Sequence, residues 1–147
     1  ISAARSNRLR RPAREPRPLP YLDDDADTWG LDIALEVRLN GELISAPPFA
    51  QMYWTPAQQL AQLTTNGASL RTGDLFASGT VSGPEPRQRG SLIELTWNGS
   101  QPLTLADGSS RRFLEDGDEV VIGATAPATD GTRLSLGDVR GRVRAAH

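Results

Sequence analysis

Two short stretches of this sequence carry groups that could do chemistry: Gly79-Thr80 with the loop Ser82–Pro86, and Glu94 within SLIELTW. A glycine directly before a hydroxyl residue at a strand end leaves N–H and O–H donors exposed. The missing side chain also lets a ligand come close to the backbone. Gly79-Thr80 can therefore receive a carboxylate or carbonyl oxygen, and the same pair also reads as a plain turn. Glu94 sits among Leu92, Ile93 and Leu95, on what its neighbours mark as a buried strand. Burying a carboxylate is costly unless it is paired or hydrogen-bonded, so an acid there calls for a functional partner. The alternative is that Glu94 faces solvent on the side of Leu92, and the residues leave both readings open.

Other catalytic arrangements are limited by composition. The chain of 147 residues has no cysteine, which removes disulfides, thiolate nucleophiles and Cys-type zinc sites. All 16 basic residues are arginines, so a Schiff-base or P-loop lysine is ruled out within the chain. The single histidine is the terminal His147, a poor place to hold an imidazole rigidly. No nucleophile elbow, phosphate loop, zincin motif or dinucleotide fingerprint occurs. The run Asp23, Asp24, Asp25 and Asp27 lacks the alternate spacing and turn glycine of a calcium loop, and reads as a solvated loop. Asp107, Asp116 and Asp118 are accounted for by hairpin geometry. A net charge of -2 argues against nucleic acid as the main partner. No apolar run approaches the ~20 residues that span a bilayer, and no signal peptide is visible. The first residue is Ile1 and the one methionine is Met52, so a processed or truncated product is expected.

The elements that must position these residues read as mostly β. Residues 1–20 form an Arg- and Pro-rich block, expected to be an extended connector ahead of one domain over residues 21–147. Leu31 to Asn40 alternates, with Leu31, Ile33, Leu35, Val37 and Leu39 on one face, and so predicts a half-buried strand. Asn40-Gly41 signals a type I′ hairpin into Glu42–Ser45. Thr55-Pro56-Ala57-Gln58 supplies a cap, a first-turn proline and a capping box for a helix over Pro56 to Thr65, which Asn66-Gly67 stops. Strands are expected at Asp74–Thr80, Leu92–Trp97, Pro102–Leu105, Arg111–Leu114, Glu119–Ala124, Arg133–Leu136 and Val139–Val143. The fold class is α+β, rich in β, with one short helix.

The stretch Ala77–Trp97, ASGTVSGPEPRQRGSLIELTW, resembles the C-terminal active-site segment of the fumarylacetoacetate hydrolase family. Further runs look like that family in the same order: PRPLPYL, LDIALEVRLNGE, MYWTPAQQLAQLTTNGASLRTGDLFASGT and LADGSSRRFLEDGDEVVI. The likeness extends from about Pro16 to Val143. It departs where the helix reads QLAQLTTNG, since the family usually carries two histidines there. ISAARSN likewise diverges from the aromatic-containing run expected at that point.

The resemblance implies part of a mixed β-roll, working as a homodimer in the cytoplasm. It implies hydrolysis of the carbon–carbon bond of 4-fumarylacetoacetate to fumarate and acetoacetate, in tyrosine and phenylalanine catabolism. A divalent metal, calcium or magnesium, is implied for the complete protein, with its ligands and the catalytic histidine in a region before Ile1. Glu94 matches the glutamate that orients that histidine, and Thr80 with the Gly79 backbone matches the site for a substrate carboxylate. The chain alone is then expected to be inactive. The two other readings are a related hydrolase acting on an acylpyruvate and a non-catalytic β-roll used for dimerisation or binding.

Overall fold

The computed structural model describes residues 15–23, 30–128 and 130–146. The connector expected over residues 1–20 lies outside these up to position 14, as do His147 and the acidic run apart from Asp23. Asp23 accepts a 2.8 Å hydrogen bond from Arg17 Nε.

The main sheet has four strands in the order β2-β1-β5-β6, antiparallel throughout. These are β1 (Ala34–Leu39), β2 (Glu42–Ser45), β5 (Glu119–Pro127) and β6 (Arg133–Arg142). Asn40 and Gly41 join β1 to β2 with φ of 51° and 86°. Two consecutive positive φ values define the type I′ turn whose twist matches the flanking strands. Leu35, Val37 and Leu39 alternate with the more exposed Ala34 and Glu36, and Leu39 is fully buried. A minor hairpin pairs β3 (Leu103–Thr104) with β4 (Ser110–Arg111). The predicted strand pair at Arg133–Leu136 and Val139–Val143 is one strand, β6. Register shifts between Gly123 and Thr125, where Leu136 and Gly137 oppose Ala124. Gly137 takes φ 83° there, the bulge geometry that made the pattern look like two strands.

Helix α1 (Pro56–Thr64) begins as its sequence predicts. Thr55 Oγ1 accepts from Gln58 N and Gln58 Oε1 accepts from Thr55 N, completing the capping box. Gln58 also donates to the carbonyl of Leu22, which fastens α1 to the segment at Pro20–Leu22. No helix among the described residues is long and apolar enough to cross a membrane.

Three strand expectations fail: of Arg111–Leu114 only Arg111 is in a strand, β4, and residues 112–114 leave the ladder. Asp74–Thr80 forms no strand: it follows Gly73 (φ 96°) and contains Gly79 (φ 78°), pairs with no ladder, and leaves Leu75 96% exposed. Leu92–Trp97 is not a strand either. Leu92–Leu95 forms a helical turn, α2, because Ser91 caps it and the chain leaves it through three successive positive φ values at Trp97, Asn98 and Gly99. The α+β, β-rich class stands, with a second short helix added.

Candidate functional site

Glu94 lies in the first turn of α2, and it is exposed rather than buried. The Ser91 hydroxyl accepts from Glu94 N at 3.3 Å and lies 3.0 Å from Glu94 Oε2. The Ser82 hydroxyl lies 2.7 Å from the same Oε2 and accepts from Gly90 N at 3.1 Å. These contacts hold the Glu94 carboxyl below the usual glutamate range. The Ser82 hydroxyl is the largest cause and Ser91 adds to it, against a partial loss of hydration. Beside it, the Arg89 guanidinium stacks 5.0 Å from the Trp97 ring centre. Arg89, Ile93, Glu94, Trp97 and Asn98 line a shallow hollow of about 430 Å³.

Two anchors keep α2 in place. Thr96 is fully buried, with its hydroxyl 2.7 Å from Leu92 O and 3.1 Å from Arg112 O, and it accepts from Gly99 N. The loop before α2 folds back on itself through Gly83 N to Gln88 O at 2.8 Å, and ties to β2 through Ala46 N to Arg87 O at 2.7 Å. Gly90 is required by contact: a Cβ there would stand 1.9 Å from the Val81 carbonyl oxygen and 2.9 Å from Thr80 Cγ2. That close approach brings the Gly79–Ser82 segment against the start of α2.

Gly79 has φ 78°, with open space around the position a side chain would take. Thr80 follows, exposed, and its hydroxyl makes no hydrogen bond among the described residues. Thr80 packs against Gly90, whose amide donates to Ser82, and Ser82 in turn contacts Glu94. The sequence marked the loop Ser82–Pro86 but not the contact of Ser82 with Glu94, and Ser91 was missed. The signal for Ser91 was there, since Ser91-Leu-Ile-Glu94 is a capping-box pattern.

A more enclosed apolar hollow of about 460 Å³ lies against α1, lined by Leu22, Met52, Leu63 and Phe76 among others. It has no ionisable lining group. Among the described residues no three acidic or histidine side chains converge as a divalent cation requires, so these residues do not fit a metal centre. Asp118 is not the plain turn residue expected. It is 2% exposed, receives Arg111 Nε at 2.9 Å, Asn40 Nδ2 at 2.8 Å and Glu115 N at 2.8 Å, and titrates at about 2, chiefly because of Arg111. Asp107 does act as a turn residue, accepting from Ser109 N.

The β-rich domain thus presents an exposed, ionised Glu94 at the start of α2 and an exposed Thr80 on the loop packed against it. The family model described as fumarylacetoacetate (FAA) hydrolase C-terminal matches residues 9–144. The chain belongs to the fumarylacetoacetate hydrolase family. It is 47% identical over 138 residues to fumarylacetoacetase of Homo sapiens, covering 90% of this chain and 32% of that protein. It is 44% identical over 138 residues to fumarylacetoacetase of Arabidopsis thaliana, with the same coverage. To fumarylacetoacetase of Caenorhabditis elegans it is 39% identical over 148 residues, covering 97% of this chain and 35% of the relative. The chain thus spans about a third of the length of the curated relatives it matches.

Proposed function

We propose that this chain is the C-terminal portion of a fumarylacetoacetase, which hydrolyses the carbon–carbon bond of 4-fumarylacetoacetate to fumarate and acetoacetate in tyrosine and phenylalanine catabolism. The observation that carries this reading is the carboxylate of Glu94, held ionised and facing outward in a chain 47% identical to the human fumarylacetoacetase. Glu94 accepts the second N–H of a histidine on another segment, fixes its tautomer and stabilises the imidazolium formed when that histidine takes a proton from the attacking water. The Thr80 hydroxyl and the Gly79 backbone receive a carboxylate of the diketo-acid substrate. The complete enzyme works as a cytoplasmic homodimer and binds calcium or magnesium through ligands outside this chain. No step assigned to these residues passes through that ion.

The test uses a polypeptide of the relatives' full length that contains this chain, with loss of the substrate's conjugated diketone absorbance as the readout. The parent turns over 4-fumarylacetoacetate, residues 1–147 alone do not, and Glu94→Gln abolishes the chemical step while leaving the fold intact. Near-normal turnover by Glu94→Gln removes Glu94 from the mechanism. Turnover of an acylpyruvate in place of fumarylacetoacetate overturns the substrate assignment.

A further inference from the structure

We infer that Ser82 and Ser91 are positioning residues that clamp one oxygen of Glu94, Oε2, so that Oε1 is left as the acceptor aimed at the reacting partner. This inference rests on the role proposed above for Glu94. Each hydroxyl is itself oriented by the backbone. Gly90 N donates to Ser82 Oγ at 3.1 Å, and Glu94 N donates to Ser91 Oγ at 3.3 Å. A hydroxyl has one proton, and once a lone pair is taken by an amide, that proton has a restricted set of directions. In both serines it points at Glu94 Oε2, at 2.7 Å and 3.0 Å. No side chain among the described residues donates to Oε1, and the Ser91 and Gly90 amides make smaller contributions to the same carboxylate.

The clamp answers a problem created by exposure. A glutamate on the surface of a one-turn helix has three rotatable bonds and samples many orientations, and each lost orientation costs entropy. An orienting carboxylate is useful only when its acceptor oxygen stays fixed, since second-layer hydrogen bonds set the direction of the group they serve. Two donors from different segments fix it. Ser91 comes from the cap of α2 itself, while Ser82 comes from the loop pressed against Gly90. The two contacts also distinguish the carboxylate oxygens, since Oε2 takes both serine hydroxyls and Oε1 takes neither. A histidine N–H approaching from another segment therefore meets a single acceptor with a defined direction.

The experiment measures steady-state kinetics of the full-length enzyme carrying Ser82→Ala, Ser91→Gly, Ser82→Thr and Glu94→Gln. Glycine is tolerated at a helix cap, so Ser91→Gly removes the hydroxyl with little effect on α2. Loss of outer hydrogen-bond partners of this kind lowers activity about 10–100-fold. The expected result is that kcat falls by that factor in Ser82→Ala and Ser91→Gly, with KM within about twofold of the parent, while Ser82→Thr retains kcat. A merely structural serine would lower the amount of folded enzyme without this split. If the Ser82→Ala, Ser91→Gly double variant keeps kcat within about threefold of the parent while Glu94→Gln is inactive, the clamp is wrong and the role of Glu94 stands. A rise in KM at unchanged kcat also overturns the clamp. Near-normal Glu94→Gln instead removes the reading on which the clamp rests. Should Ser82→Ala not fold, Ser82→Cys keeps the volume with a weaker donor and is held to the same two outcomes.

Discussion

Replacing Asp118 by asparagine keeps the shape of the side chain and removes its charge from a buried network. The carboxylate receives Arg111 through Nε at 2.9 Å and Nη2 at 3.0 Å, and Asn40 and Glu115 through one bond each at 2.8 Å. Removing one partner of a buried ion pair costs about 3–5 kcal/mol, since the other charge is left uncompensated. The Arg111 side chain is 17% exposed and keeps Glu115 Oε2 at 3.5 Å, so its charge is left only partly uncompensated, which sets the expected loss at the lower end, about 3 kcal/mol. The titration of Asp118 gives a similar size. Its carboxyl sits at about 2 in the folded chain against an ordinary 3.8, a difference of roughly 2–3 kcal/mol in linked stability. Because the folded value is the lower one, this stability is fully present above about pH 4 and is lost as pH falls through 2. For a chain of this size the loss at neutral pH is a drop in Tm of about 6–12 °C. Thermal and urea unfolding, followed by tryptophan fluorescence of the parent and Asp118→Asn at pH 7 and between pH 5 and 2, measures it. A shift below about 2 °C at pH 7, or a gap that persists undiminished at pH 2, refutes the reasoning.

Three further outcomes follow from the same geometry. Gly90→Ala puts a Cβ 1.9 Å from the Val81 carbonyl oxygen, so the backbone must move. The expected cost is about 3 kcal/mol by urea titration, with lower kcat in the full-length enzyme as Ser82 shifts from Glu94. On the role proposed for Thr80, Thr80→Ala removes one hydrogen bond to the substrate carboxylate, worth about 1.5–3 kcal/mol. It should lower kcat/KM at least tenfold, with Thr80→Ser near the parent in the same assay. Thr55→Ala opens the capping box of α1 and should cost about 1 kcal/mol, read as a lower unfolding midpoint.

The parts of the fold legible in the sequence are those written by neighbouring residues. Asn40-Gly41 makes its turn because both residues tolerate positive φ, and Thr55 with Pro56 and Gln58 starts α1 from four adjacent positions. Leu92-Ile93-Glu94-Leu95 misled because β-branched and large apolar residues suit a strand, while the deciding contact is the Ser91 cap. Asp74–Thr80 has strand-like residues but no partner strand, and a ladder needs two. Asp118 looked like a turn residue because nothing local shows its burial or its bond to Asn40, 78 positions away. For the same reason Glu94 and the loop at Ser82 could each be singled out, whereas their contact across 12 positions could not.

The strand order β2-β1-β5-β6 sets a timetable for synthesis. The β1–β2 hairpin can close as soon as it leaves the ribosome, but the other edge of β1 pairs only with β5, whose first residue, Glu119, comes 80 positions after Leu39. At about 5–20 residues per second, that edge waits roughly 4–16 s with its backbone donors and acceptors open. The Asn40 amide waits equally long for Asp118. Slow codons between these points would lengthen the interval in which a nascent chain can recruit a chaperone or stick to its neighbour.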